Sequence, residues 1–193
     1  MDPLELFHQW FARARAVDRS LLPEPTAMAL ATTDRDGRPG VRMVLLKDAD
    51  TRGFVFYTNT ESRKGRELLA NPHAALCFHW QPLELQIRIE GDAVRVSDAE
   101  ADEYFATRPR VSQLGAWASA QSRAMAQDED LEERLHDMER RFEGAPVPRP
   151  AYWSGYRVSP VLFEFWRNRP FRLHDRQLFE RTGDGWRVSR LYP

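Results

Sequence analysis

The chain has 193 residues, of which 42% are apolar and 30% are charged, and this globular composition excludes extended disorder. Its 28 basic and 29 acidic side chains leave a net charge of -1, so no overall basic field favours nucleic-acid binding. A single cysteine, Cys77, excludes an internal disulfide and multi-cysteine zinc sites. The five histidines lack metal-ligand spacing, so no metal site is expected.

No apolar run approaches the roughly 20 residues of a membrane span, and the N-terminus lacks the basic and apolar regions of a signal peptide. We therefore expect a cytoplasmic protein that does not bind membranes. Lys47 and Lys64 are the only lysines among the 28 basic residues. Either arginine-favouring codon usage left them by chance, or both places require a compact ammonium that a planar guanidinium does not replace.

The first third of the chain predicts one helix followed by strands. Asp2-Pro3-Leu4-Glu5 is a typical helix start, with Asp as the cap and Pro in the first turn. Strands are predicted over residues 27–33, 41–46 and 54–57, with turns around 34–37 and 50–53. Because strand follows strand without a helix between them, the sheet is predicted to be antiparallel.

The remainder predicts further strands and three helices. A short helix is expected from Ser62, a second from Ser97 to about Arg108, and a third over residues 131–142. Strands are predicted over 75–80, 83–90 and 161–166, and 93–96 is expected to pair back after a turn at Gly91. A final hairpin is predicted from 177–181 and 186–191. The sum is a single β-rich α+β domain over residues 1–193, expected as a closed barrel surrounded by helices.

Two basic segments could bind an anion. Ser62-Arg63-Lys64-Gly65 combines free backbone N–H groups at a helix start with two cations, which suits a phosphate. The alternative is a solvated basic turn. On the strand from Arg42 to Lys47, a cation ends each face, and the alternative is that both side chains simply extend to water.

Two later segments carry further polar side chains. If the stretch after Trp166 is extended, Arg172, His174 and Arg176 share one side, where the arginines favour a neutral imidazole able to accept a proton. The alternative is a charged loop or edge strand. Tyr104 and Arg108 lie four apart on one helix face, with Ser112 just beyond, and could hold a second phosphate. No hydrolase, Walker or dinucleotide motif is present.

These segments together resemble the pyridoxamine 5′-phosphate oxidase family. The motifs that carry the resemblance are Arg-Met-Val-Leu-Leu-Lys, Phe-Tyr-Thr-Asn-x-x-Ser-Arg-Lys, Tyr-Phe-x-x-Arg-Pro-Arg-x-Ser-Gln-x-Gly-Ala-Trp, Gln-Ser, Glu-Phe-Trp and Arg-Leu-His-Asp-Arg. They span residues 2 to 193. The resemblance implies an antiparallel, Greek-key-like FMN-binding split barrel that forms homodimers with FMN between the subunits. It also implies oxidation of pyridoxine or pyridoxamine 5′-phosphate to pyridoxal 5′-phosphate, with O2 reduced to H2O2.

The resemblance also assigns site residues. Those implied to bind FMN are Arg42, Met43, Val44, Leu45, Leu46, Lys47, Tyr57, Thr58, Arg63, Lys64, Gln86, Gln121, Ser122, Trp166 and Arg176, with Gln121 and Ser122 from the facing subunit. Those implied to bind substrate are Lys47, Tyr104, Arg108, Ser112, Arg172, Leu173 and His174. Arg172 and His174 would be catalytic, and the C-terminal strands, about 153–193, would complete the active site.

Two other functions are compatible with this scaffold. One is a flavin-dependent oxidase of another substrate, such as the phenazine-pathway oxidases. The other is a flavin- or heme-binding split-barrel protein without turnover. Many family members carry an N-terminal arm with an Arg-Arg-x-Tyr element that covers the substrate. Here the chain begins at Asp-Pro-Leu, where that arm would already have ended, so substrate closure is expected to differ.

Overall fold

The computed structural model describes residues 2–193, which contain five α-helices and one nine-stranded sheet. The helices are α1 (Pro3–Arg15), α2 (Arg63–Ala70), α3 (Asp98–Thr107), α4 (Arg110–Ala118) and α5 (Leu131–Arg141). The strands are β1 (Ala27–Thr33), β2 (Pro39–Leu45), β3 (Asp48–Asp50), β4 (Gly53–Asn59), β5 (His73–Trp80), β6 (Leu85–Arg95), β7 (Trp153–Arg167), β8 (Asp175–Thr182) and β9 (Gly185–Arg190). The α+β, β-rich fold class is confirmed.

The sheet is antiparallel throughout, as the sequence predicts. Its main path runs β2-β1-β5-β6-β7-β4-β3, and the β8–β9 hairpin is attached to β7. Within residues 2–193 no ladder joins the end strands β2 and β3, so the expected closed barrel is instead a curled half-barrel, in agreement with a split barrel.

Strand β7 organises the sheet because it is long enough to pair with three others. On one side β6 pairs with β7 from Tyr156 to Arg167. On the other side β4 pairs with residues 153–158 and β8 pairs with residues 162–167. The predicted strand over 161–166 is therefore only the second half of β7.

Residue Gly91 is not in a turn, which corrects the prediction of two strands over 83–90 and 93–96. Strand β6 continues through it, with a bulge between Glu90 and Gly91 opposite β7. A Cβ on Gly91 would lie 2.0 Å from the carbonyl oxygen of Ser159, so glycine here permits a close approach of two backbones. Leu83 and Glu84 precede the strand, in a 3-10 turn and a left-handed residue.

The core lies between the curled sheet and α1. Asp2 caps α1 by accepting a hydrogen bond from the backbone N–H of Leu4 (2.8 Å), as predicted. Phe7 on α1 is fully buried, and its ring packs edge-on to Phe54 with 4.8 Å between centroids. The predicted helices at Ser62, Ser97 and 131–142 are confirmed, whereas α4 was not predicted.

Candidate functional site

A cleft of about 640 Å³ opens between strands β2 and β4 and helices α3 and α4. Eleven of its eighteen lining residues belong to the predicted site: Met43, Val44, Leu45, Lys47, Tyr57, Thr58, Lys64, Tyr104, Arg108, Ser112 and Gln121. The others are Asn59, Thr107, Pro109, Gly115, Ala116, Ser119 and Trp153. The fold thus brings residues predicted for cofactor and substrate into one cavity.

The ammonium of Lys64 is buried at this cleft, and no carboxylate of residues 2–193 is in hydrogen-bond contact with it. Its Nζ donates to Gln121 Oε1 (2.7 Å), Thr58 Oγ1 (3.0 Å) and Ser62 Oγ (3.3 Å). Burial, with repulsion from Arg42, lowers the pKa of Lys64 to about 8, although Glu67 opposes the shift. A buried cation surrounded by neutral oxygens is suited to an anionic ligand such as phosphate.

The guanidinium of Arg108 lies on an aromatic wall. The rings of Tyr57, Tyr104 and Trp153 are nearly parallel, with 4.1 Å between the two tyrosine centroids. Arg108 Cζ is 4.7 Å from the Trp153 centroid, and Arg108 Nη1 is buried without a hydrogen-bond partner among residues 2–193. Burial lowers the pKa of Arg108. This unsatisfied donor leaves a place for a ligand acceptor.

Burial of the Tyr57 phenol raises its pKa to about 12, and the negative charge of Glu100 adds to the effect. Tyr57 is therefore a neutral phenol at physiological pH. Its hydroxyl can donate a hydrogen bond, but it does not act as a base.

Arg42 and Arg63 lie beside the cleft and share a buried carboxylate, Glu67. Arg42 Nη2 is 2.9 Å from Glu67 Oε2, and Arg63 Nε is 2.7 Å from Glu67 Oε1. Neither arginine lines the cleft itself. Leu46, by contrast, is 4% exposed and its side chain packs in the core.

A second group of predicted residues forms a row across three strands. Gln86 on β6 pairs with Trp166 on β7, which pairs with Arg176 on β8. The His174 ring lies 4.7 Å from the Trp166 ring, between centroids. None of these four residues lines the cleft. Within a single chain, the predicted site residues therefore form two separate groups, one at the cleft and one in this row.

The segment before β8 is not extended, which corrects the expectation that Arg172, His174 and Arg176 share one side of a strand. Phe171 and Arg172 adopt left-handed conformations (φ 59° and 61°) within the 3-10 turn Pro170–Arg172, and the strand begins only at Asp175. Leu173 is exposed beside them. Such strain in non-glycine residues is found where a loop is held for function.

His174 Nδ1 accepts a hydrogen bond from the backbone N–H of Arg169 (3.3 Å). In a neutral ring this places the proton on Nε2. Nε2 would then be the ring nitrogen that remains available to a ligand.

Gln121 reaches Lys64 of its own chain, because the segment after α4 turns back toward α2. The sequence-based expectation that Gln121 comes from a facing subunit is therefore not needed to bring it to this lysine. The exposed Ser122 follows it with a left-handed backbone (φ 69°).

Sequence reasoning missed two buried glutamates and Trp153. Glu164 on β7 is 4% exposed and accepts from Arg176 Nε (2.7 Å) and Arg88 Nη1 (2.8 Å). Glu67 could have been noticed from its position four residues after Arg63 on a helix. Glu164 lies in the Glu-Phe-Trp motif, but the sequence assigns it no role, and nothing local marks Trp153.

Among residues 2–193, no helix has the length and apolar character required to cross a membrane. The same residues contain no group of three or more His, Cys, Asp or Glu side chains that could hold a metal ion.

The fold and the cleft define a split-barrel protein with adjoining basic and aromatic ligand sites. A family model described as "Pyridoxamine 5'-phosphate oxidase" matches residues 16–137, and one described as "Pyridoxine 5'-phosphate oxidase C-terminal dimerisation region" matches residues 153–193. The chain belongs to the pyridoxamine 5′-phosphate oxidase family of oxidoreductases.

Relatives and solved structures agree with this assignment. The chain is 58% identical over 192 residues to a "Pyridoxine/pyridoxamine 5'-phosphate oxidase" of Gluconobacter oxydans, covering 100% of this chain and 94% of the relative. Identity is also 58% to the protein of that name in Rubrobacter xylanophilus, covering 100% and 87%. The crystal structure of PhzG from Burkholderia lata, in complex with tetrahydrophenazine-1-carboxylic acid, has a TM-score of 0.91 and 34% identity, covering 100% and 93%.

An FMN-binding protein of Nostoc punctiforme shares the fold, with a TM-score of 0.79 at 16% identity, covering 100% of this chain and 99% of that chain.

Proposed function

We propose that this protein oxidises pyridoxamine or pyridoxine 5′-phosphate to pyridoxal 5′-phosphate with FMN as cofactor, passing the electrons to O2 and releasing H2O2. The observation that carries the proposal is the buried Nη1 of Arg108, which lies beside Tyr104 in the cleft and has no hydrogen-bond partner in the described part of the chain. A substrate phosphate would accept from this nitrogen, with Ser112 and Lys47 as further donors on the same cavity wall.

The residues around Lys64 fit the phosphate of FMN. The hydrogen-bond partners of Lys64 among the described residues are all neutral, and the two guanidiniums held by Glu67 supply further donors close to it. When bound, FMN supplies the redox chemistry, and the protein supplies binding, orientation and electrostatics. The substrate phosphate is remote from the reacting carbon, so its binding energy can be used to orient the pyridine ring.

We further propose that two subunits complete each site, with FMN at their interface. Trp153 at the cleft and Trp166 in the second group lie thirteen positions apart on β7, which is about 40 Å of extended strand. In the proposed dimer, Arg172, Leu173 and His174 of one chain would meet the cleft of the other. The C-terminal strands, 153–193, would complete the active site in this way, consistent with the matched dimerisation region.

A second candidate function is oxidation of a different substrate, because the PhzG structure shares both fold and considerable identity. The clustering of Arg108 with Tyr104 and Ser112 favours a phosphorylated substrate instead. A flavin- or heme-binding protein without turnover is the third possibility, and an activity measurement separates it from the other two.

The purified protein is expected to be a yellow dimer with flavin on each chain. Adding pyridoxamine 5′-phosphate in air-free buffer should bleach the flavin absorbance and form the aldehyde, because substrate electrons then remain on the cofactor. Size-exclusion chromatography and absorbance spectroscopy measure both results. A colourless monomer that cannot be reconstituted with FMN, or a yellow protein that does not bleach, would contradict the proposal.

The affinity for FMN is expected to fall as the pH rises through about 8, the pKa to which burial lowers Lys64. The charged form binds the phosphate dianion, and its fraction decreases about tenfold between pH 7 and pH 9. Flavin fluorescence quenching at each pH gives the dissociation constant. In Lys64→Arg the guanidinium stays protonated, so its affinity should vary little over this range. Equal pH dependence in both proteins would assign the titration to another group.

A further inference from the structure

Glu67 has more polar contacts than an ordinary helix glutamate. Its Oε2 accepts hydrogen bonds from Thr32 Oγ1 (2.5 Å) and Arg42 Nη2 (2.9 Å), while Oε1 accepts from Arg63 Nε (2.7 Å). The side chain is 5% exposed. Arg42 lies on β2 and Arg63 on α2, so this one carboxylate joins guanidiniums from two elements of the fold.

The carboxylate remains charged in this setting. Burial alone would raise the pKa of Glu67, but hydrogen bonds from Thr32 and the two arginines outweigh it and hold the pKa below its usual range. Gly40 leaves room for the arrangement, because a Cβ there would lie 2.8 Å from Arg42 Nη2 and 3.2 Å from Arg63 Nη2. Two guanidiniums that would otherwise repel each other are thereby held side by side.

The geometry leaves donors free. Glu67 engages Arg63 only through Nε, and the two terminal nitrogens of Arg63 make no hydrogen bond within residues 2–193. Lys64 is close enough that both Arg42 and Glu67 act on its pKa. These three cations and one carboxylate have a net charge of two positive units, which matches the dianion of a phosphate monoester.

We propose that Glu67 is a positioning residue for the cofactor phosphate: it fixes the guanidiniums of Arg42 and Arg63 in the orientation in which they bind FMN. The inference rests on the proposed function and adds a specificity determinant to it. A carboxylate near an anion site would weaken binding if it acted only through its charge. Glu67 instead favours binding because orientation of the two arginines outweighs its repulsion of the phosphate.

The direction in which one substitution changes the FMN affinity therefore tests the inference. Glu67→Gln keeps the volume and removes the negative charge, so charge alone predicts tighter FMN binding. Loss of arginine positioning predicts weaker binding, and we expect the dissociation constant for FMN to rise about tenfold, equivalent to one misplaced charged contact. Flavin fluorescence quenching by the apoprotein measures it. Riboflavin, which lacks the phosphate, should bind the variant as it binds the wild type.

Two further variants make the result decisive. Glu180→Gln removes the same charge from an ion pair with Arg187 on the β8–β9 hairpin, and its FMN affinity should not change. Gly40→Ala leaves every charge in place but displaces the guanidiniums, so it should also weaken FMN and not riboflavin. If Glu67→Gln severely lowers the Tm of the apoprotein, the FMN and riboflavin affinities of Gly40→Ala test the inference in its place.

Unchanged or tighter FMN binding by Glu67→Gln would overturn the inference. Equal losses for FMN and riboflavin would also overturn it, because they would indicate a purely structural ion pair. A wild-type protein that binds neither flavin would contradict the proposed function itself. If the wild type binds FMN and Glu67→Gln binds it equally well, only the inference about Glu67 fails and the proposed function stands.

Discussion

Replacing Arg108 by alanine is expected to raise the KM for pyridoxamine 5′-phosphate by about ten- to a hundredfold. A charged hydrogen bond to phosphate contributes roughly 1.5–3 kcal/mol, and within residues 2–193 no protein acceptor competes with the phosphate for Arg108 Nη1. FMN affinity should be unchanged, since Lys64 and the Glu67-held arginines lie at the other predicted phosphate site. Steady-state kinetics on the FMN-saturated enzyme measure the effect.

A substrate without phosphate distinguishes loss of phosphate binding from a general loss of enzyme activity. For pyridoxamine itself, Arg108→Ala and wild type should have similar kcat/KM, because the missing contact is the one to phosphate. Arg108→Lys should recover part of the loss, as charge returns without the planar fork that stacks on Trp153. Arg95→Ala, an arginine of β6 outside the cleft, is the matched control. An equal loss for both substrates would argue against phosphate binding by Arg108.

Substitution of Arg172 or His174 by alanine is expected to lower turnover at least tenfold while flavin stays bound. Both residues follow β7 in a loop with left-handed backbone, separate from the residues around Lys64. In the proposed dimer they face the pyridine ring, where the free Nε2 of His174 donates a hydrogen bond. A positioned donor that strengthens its contact in the transition state contributes roughly this much to kcat.

Flavin absorbance after gel filtration shows whether the cofactor is retained, and kcat is then measured per bound flavin. Arg187→Ala, on β9 and paired with Glu180, makes a matched change away from both groups of site residues. Full kcat and KM in Arg172→Ala and His174→Ala alike would remove these residues from the active site. Loss of flavin in either variant would instead indicate a role in holding the cofactor.

The strands were predictable where one face is buried, because alternation of apolar and polar residues is a local property. Residues 85–90 alternate buried and half-buried in the structure as they alternate in sequence. Gly91 was interpreted wrongly, since glycine permits both turns and close backbone approach, and only the neighbouring strand decides between them. Helix α4 was missed because it begins after Pro109 without a side-chain cap.

The site residues were likewise predictable from the sequence where the signal is local, and not where it depends on contacts between distant segments. Motifs placed Lys64, Arg108 and their neighbours in the chain, and the structure shows that most of them line one cleft. The spacing of Glu67 from Arg63 is a local signal, but the contact of Glu67 with Arg42 and the burial of Glu164 between Arg88 and Arg176 join different elements of the fold and have no local signal. Burial of that kind is a property of the assembled sheet.

The length of β7 also has a genetic consequence. In the proposed dimer, the cleft of one chain and the loop of that chain that carries His174 belong to different active sites. A substitution of Arg108 in a chain therefore damages one active site, and a substitution of His174 in the same chain would damage the other. A mixed dimer of two such chains would contain one site with both defects and one site with neither. Two inactive alleles expressed in the same cell could then complement each other, and inheritance of the trait would depend on which end of a single strand each lesion occupies.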